Sequence, residues 1–185
     1  GNSSGMAVTS GDANTFVGYY AGAATTSGGN NVFVGKNAGV AHTTSHQNVL
    51  IGADAGASIT TGGDNIMIGR ESGDGYDTES HNIGIGTGAL GGSIAGGEYN
   101  TCVGTYGLDA VTSGDDNVAM GYQAGTAVTT GSKNTCIGKG AGGSITTGDE
   151  NVCLGREAQP AAVDSDNSVT LGSSNISSLR CQVQS

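Results

Sequence analysis

The chain has 185 residues, with 36 Gly, one Pro, no Trp, 12% charged residues and a net charge of −10. Glycine at about one position in five is nearly three times its usual share. It excludes an ordinary helical domain, since each interior helix glycine costs up to about 1 kcal/mol, and the lack of a three-residue glycine period excludes collagen. The acidity argues against nucleic acid or an anionic membrane as partner, because both repel it.

Residues 1–13 read as a lead-in. They show no basic stretch followed by an apolar core, so no signal peptide is expected, and nowhere does an apolar run approach the roughly 18 residues of a membrane span. From Asn14 the chain repeats. NTFVG (Asn14), NVFVG (Asn31), NVLIG (Asn48), NIMIG (Asn65), NIGIG (Asn82), NTCVG (Asn100), NVAMG (Asn117), NTCIG (Asn134) and NVCLG (Asn151) lie 17 residues apart, once 18. A variant, NSVTLG, starts 16 residues on at Asn167. The array occupies 14–166, and 167–185 form a tail.

With the asparagine as position 1, position 2 is β-branched, position 4 apolar and position 5 glycine in all nine repeats. Alternation puts positions 2 and 4 on one face of a short strand, expected to face the coil's own core. Glycine then lets the chain turn. A second short strand is expected around SITTG (Ser58, Ser144) and AVTTG (Ala127). A coil of 17 residues is too short for a βα unit, and only stacking buries its apolar side. The expected fold is all-β: a parallel β-solenoid of about nine coils, roughly 45 Å long at about 4.8 Å per coil. Asn14, Asn31, Asn48, Asn65, Asn82, Asn100, Asn117, Asn134 and Asn151 are expected to stack as a structural ladder.

Position 3 holds Phe16, Phe33, Leu50, Met67, Gly84, Cys102, Ala119, Cys136 and Cys153. If positions 2 and 4 face inward, these form an outward apolar stripe, and such a stripe marks an interface. The expectation is a homotrimer with parallel chains about one axis, its interface made by Phe16, Phe33, Leu50, Met67, Cys102, Ala119, Cys136 and Cys153. The four cysteines follow the repeat rather than any metal spacing and read as reduced packing residues.

The motif NVxIGxxAG with TTG resembles the repeats of bacteriophage tail-fibre proteins, and it is similar to the heads of trimeric autotransporter adhesins, which are left-handed β-rolls. The tail NSVTLGSSNISSLRCQVQS resembles the segment before the C-terminal intramolecular chaperone of tail fibres and tailspikes, which cleaves itself off after a serine; Ser185 stands at the end of that match. The resemblance implies a trimeric fibre segment of a virion, assembled in the host cytoplasm, that attaches to a host cell-surface glycan or protein. A bacterial trimeric surface adhesin head is the alternative, and an ice-binding solenoid a further one. The last would use the column Thr26, Thr43, Thr60, Thr112, Thr129 and Thr146, interrupted at Asp77 and Ile94.

No nucleophile–base pair, phosphate loop or paired-carboxylate motif stands out, so no enzymatic activity and no cofactor are expected. His42 and His46 sit in turns, without metal-ligand spacing. Asp12, Asp64, Asp115, Asp116, Asp149 and Glu150, just before repeat asparagines, read as turn residues, so no metal is expected either. Repeats four to six depart most from the consensus. They supply Tyr76, Asp77, Glu79, His81, Tyr99 and Tyr106 as candidate receptor contacts, since aromatics beside carboxylates suit sugars and loops carry binding. The tip beyond Asn167 competes for that role.

Overall fold

The computed structural model describes residues 1–92 and 97–178. It is a parallel β-solenoid of about nine 17-residue coils. Each coil contributes one three-residue strand: β1 Thr15–Val17, β2 Val32–Val34, β3 Val49–Ile51, β4 Ile66–Ile68, β5 Ile83–Ile85, β6 Thr101–Val103, β7 Val118–Met120, β8 Thr135–Ile137, β9 Val152–Leu154 and β10 Val169–Leu171. They form one parallel sheet in sequence order, with like positions paired throughout, as in Phe16 with Phe33 and Leu50 with Met67. Ile94 and the segment Leu179–Ser185, including Cys181, lie outside the described residues.

The asparagines connect the coils. The backbone N–H of Asn117 donates to Oδ1 of Asn100 at 3.0 Å, and Nδ2 of Asn117 donates to the carbonyl of Gly131 at 2.9 Å. The first bond ties one coil to the next; the second ties the start of a coil to its own far side, 14 residues on. The pattern runs from Asn14 to Asn151, which accepts at 3.0 Å from the N–H of Ser168. Ser168 rather than Asn167 therefore takes the ladder place in the tenth strand, and the 17-residue step is kept there. The eight ladder asparagines from Asn31 to Asn151 are buried, none more than 1% exposed.

A buried position 1 sets the parity of the strand. Position 3 shares its side, so it faces inward, and positions 2 and 4 face out. Phe33, Leu50, Met67, Cys102, Ala119, Cys136 and Cys153 are at most 1% exposed, and Phe16 packs on the same cluster. This overturns the expected trimer interface: those eight side chains fill the coil's own core. Position 12 faces them from the opposite wall with Ile59, Tyr76, Val111, Val128 and Ile145. Where position 3 shrinks to Gly84 or Cys102, the same coil turns Leu90 or Leu108 inward from a place that is glycine in most other coils. The dwindling of position 3 along the chain is thus partly a redistribution of core volume. Burial pushes the Cys102 thiol up to about 12, and a bond to Cys153 together with burial raises that of Cys136. All three described cysteines are free and buried.

The second expected strand is absent among the described residues. Around Thr43 and Thr129 the backbone bonds between coils converge on the position-13 carbonyl: Thr60 O accepts from the Thr43 N–H at 2.8 Å, and Thr146 O accepts from the N–H groups of Thr129 and Gly131 at 2.9 and 3.3 Å. Donors gathered on one carbonyl do not make the evenly spaced bonds of a parallel ladder. Position 5 requires glycine: Gly52 has φ of 142°, and a Cβ there would lie 2.3 Å from the carbonyl oxygen of Gly69. Residues 1–13 are more than a lead-in. The N–H groups of Gly5 and Ala7 bond the carbonyls of Ala21 and Ala23 at 3.0 and 3.2 Å, so this segment forms the turn half of a further coil.

His42 occupies position 12 of its coil and is fully buried. Its ring meets Phe33 edge-on at 4.9 Å, Nδ1 lies 3.2 Å from the Thr25 hydroxyl and Nε2 lies 2.7 Å from that of Ser45. Burial, with His46 nearby, lowers its pKa to about 4 from 6.5.

Two predictions follow from this core. Asn117→Leu leaves a buried N–H on one side and a buried carbonyl on the other without partners. At about 1–3 kcal/mol each, chemical denaturation should show a loss of roughly 2–5 kcal/mol; a loss under about 1 kcal/mol would contradict the ladder's role. For His42, the unfolded chain binds the proton that the folded chain refuses. Stability is full above pH 6.5 and falls as pH drops towards 4, by on the order of 3 kcal/mol. Melting curves of His42→Thr, which places the residue of Thr25 there, should lack that part of the acid slope; an unchanged slope would contradict the assignment.

Candidate functional site

The outward side of the sheet carries two columns of side chains, at positions 2 and 4. Seventeen of these twenty places are Val, Ile, Leu or Met, and the other three are Thr15, Thr101 and Thr135. Met120 is 50% exposed, Val118 37% and Val17 54%; the central valines and isoleucines are half-buried by one another. β-branched residues crowd here because the pleated outer surface suits them, though nothing in the single chain covers them. The face is ten strands long and two residues wide.

The two edges of this face are the corners of the coil. At one edge, position 17 just before each asparagine holds Asp64, His81, Tyr99, Asp116, Lys133 and Glu150, all with positive φ. Their side chains stack along the rod: His81 lies on Tyr99 at 4.8 Å, His81 Nε2 is 3.9 Å from Asp64, and Lys133 is 3.4 Å from Glu150. At the other edge, position 6 holds Lys36, Arg70, Tyr122, Lys139 and Arg156. There Arg70 pairs with Glu71, and Lys139 lies 5.9 Å from the centre of the Tyr122 ring.

The six candidate receptor residues are not one cluster. Tyr76 is wholly buried and Glu79 only 4% exposed, so neither meets a receptor. Tyr76 fills the core across from Met67, because divergence in the fourth coil changed its packing as well as its surface. The Glu79 carboxylate accepts the N–H groups of Asp77 and Thr78 at 2.8 and 3.1 Å and braces that turn. Asp77 is exposed and accepts from the Thr60 hydroxyl. His81 and Tyr99 sit together on the first edge, and Tyr106 stands on the opposite one.

Tyr106 lines a shallow groove of about 190 Å³ with Glu71, Asp74, Asp109, Gly88 and Gly91. Burial, aided by Glu71, raises the pKa of Asp74, while Asp109 accepts from the Thr126 hydroxyl at 2.6 Å. Sequence reasoning grouped Tyr106 with Tyr76, Asp77, Glu79, His81 and Tyr99 and missed these partners: Asp109 of its own coil, Gly88 and Gly91 of the coil before, and Glu71 and Asp74 of the coil before that. A larger hollow of about 480 Å³ lies at the last coil beside Gln159, Pro160, Leu171 and Ile176. Among the described residues no group of three or more His, Cys, Asp or Glu is placed to hold a metal ion, and no helix is long and apolar enough to cross a membrane.

The threonine column at position 13 spends its hydroxyls on the rod. Thr43 donates to the Thr60 carbonyl at 2.9 Å, and Thr129 donates to that of Thr146 at 3.0 Å. These groups join coils rather than forming a free hydroxyl array. Against known proteins, no family model matches the chain, and neither a curated protein nor a solved structure is significantly similar to it.

Proposed function

We propose that this chain is a structural, non-enzymatic rod segment of a trimeric fibre that presents host-receptor contacts, as in the phage tail fibres its repeats resemble. The observation that carries the reading is the outward sheet face. A contiguous apolar patch of this extent on a soluble chain marks an interaction surface. The expected interface thus moves from position 3 to positions 2 and 4. A strip two residues wide along a rod suits closure of a few copies around a common axis, and cyclic symmetry leaves no open end to the association. Scarcity of threonine on the face, and the bonded state of the position-13 hydroxyls, favour protein contact over ice binding.

Receptor contact then falls to the tip and to Asp77, which is exposed away from the sheet face, while His81, Tyr99 and Tyr106 stand on the edges that flank that face. The partner class is a glycan or protein of a host cell surface. Three equal copies per fibre raise avidity without new contacts. A bacterial surface adhesin head would use the same trimer.

Light scattering tests the assembly. The native mass should be three times 18.0 kDa. Ile51→Glu with Ile68→Glu should weaken association at least about a hundredfold, with circular dichroism unchanged because both side chains face out. A wild-type mass of 18.0 kDa would overturn the proposal.

A further inference from the structure

The outward face alone is small for an interface. Its footprint is roughly 45 Å by 10 Å, below the roughly 800 Å² per partner of a standard stable contact, so its edges must take part. Their charges differ. Four of the six Lys and Arg residues stand at position 6 on one edge: Lys36, Arg70, Lys139 and Arg156. All four are exposed. Three carboxylates at position 7 share that edge, and Glu71 is among them, bonded to Arg70. The opposite edge, positions 16 and 17, carries eight of the sixteen carboxylates and a single lysine, Lys133.

We infer that these two edges set the direction of assembly: the acidic edge of one copy lies along the basic edge of the next, so copies join only with their chains running the same way. The inference rests on the trimer reading above. Rotation about an axis parallel to the rod keeps every strand at its own height and places unlike edges side by side. Asp64 and Arg70 flank β4, and Glu150 and Arg156 flank β9, so at both heights a carboxylate of one copy faces an arginine of its neighbour. A reversed copy would instead run eight carboxylates along eight carboxylates. The rail is imperfect at β8, flanked by Lys133 and Lys139, and there Lys133 turns to Glu150 one coil on, at 3.4 Å. Discrimination comes mainly from the repulsion that reversal would create, since exposed ion pairs add little each.

Two charge variants test this by light scattering across a dilution series, with circular dichroism confirming the fold. Arg70→Glu with Arg156→Glu makes both edges acidic. It should weaken association roughly a hundredfold, and raising salt to about 0.5 M should restore most of it. Asp64→Asn, Asp116→Asn and Glu150→Gln together should weaken association several-fold, because the attraction between unlike edges is reduced. Tighter association of the second variant would mean that like edges meet and would overturn the inference. So would dissociation constants of both variants within about twofold of wild type. In either case a trimeric wild type leaves the assembly itself standing, whereas a monomeric wild type overturns both.

Discussion

The fold depends on one side chain used nine times. Each repeat asparagine accepts a backbone N–H from the following coil and donates to a carbonyl on the far side of its own, as Asn100 does to Asn117 and Gly114. No other side chain of that length has an acceptor and a donor so disposed. Aspartate lacks the N–H, and leucine lacks both. The coil has a single strand of three residues, too short to hold a turn closed by ladder bonds alone. The amide closes the coil and stacks it in the same stroke, and the buried polar groups then have their partners.

The same amide explains what was legible in the sequence and what was not. Strand positions, repeat length, the glycine after each strand and the parallel order are all visible in NVxIG at 17-residue spacing. The facing of the strand is not visible from hydrophobicity, which points the wrong way. Val32, Val34, Ile66 and Ile68 are more apolar and more β-branched than Ala119 or Gly84, yet the latter are inside. Parity overrides composition here. Asn31 must be buried to reach both its partners, so Phe33 is buried too, and the valines between them are turned out. Signals for this existed in the invariance of the asparagine and in the small residues at position 3, since a thin coil leaves little room inside.

Divergence in the middle coils also has an inward cause. Tyr76, Leu90 and Leu108 stand in coils whose position 3 is Met, Gly and Cys, and all three point into the core. A side chain at position 9 or 12 can trade volume with one at position 3 because all project into the same narrow space. Sequence irregularity at Tyr76 and Glu79 therefore reflects packing and turn bracing. At Tyr99 and Tyr106, which are exposed on the edges that flank the outward face, it changes the surface instead. Neighbours one or two repeats apart, such as His81 on Tyr99 or Glu71 in the groove lined by Tyr106, become readable only once the coils are laid in register.

The distribution of charge completes the account. In the proposed trimer, an acidic chain with an apolar face has two opposing needs: separate copies must stay apart, and assembled copies must meet closely. Here the carboxylates are kept off positions 2 and 4 and gathered at the corners, above all at positions 16 and 17. Several of them also serve the rod itself: Asp149 accepts the Ser132 N–H at 2.7 Å, and Asp166 accepts that of Asp149 at 2.8 Å. The net charge keeps copies apart at long range, while the face between the corners remains free of any charge to desolvate. A rod built by stacking has a repeat that every copy shares, so a stripe and its flanking charges come into step with those of a second copy whenever the two run the same way. Periodicity, which first stabilises the coil through its asparagines, would in the proposed trimer also supply the match between chains.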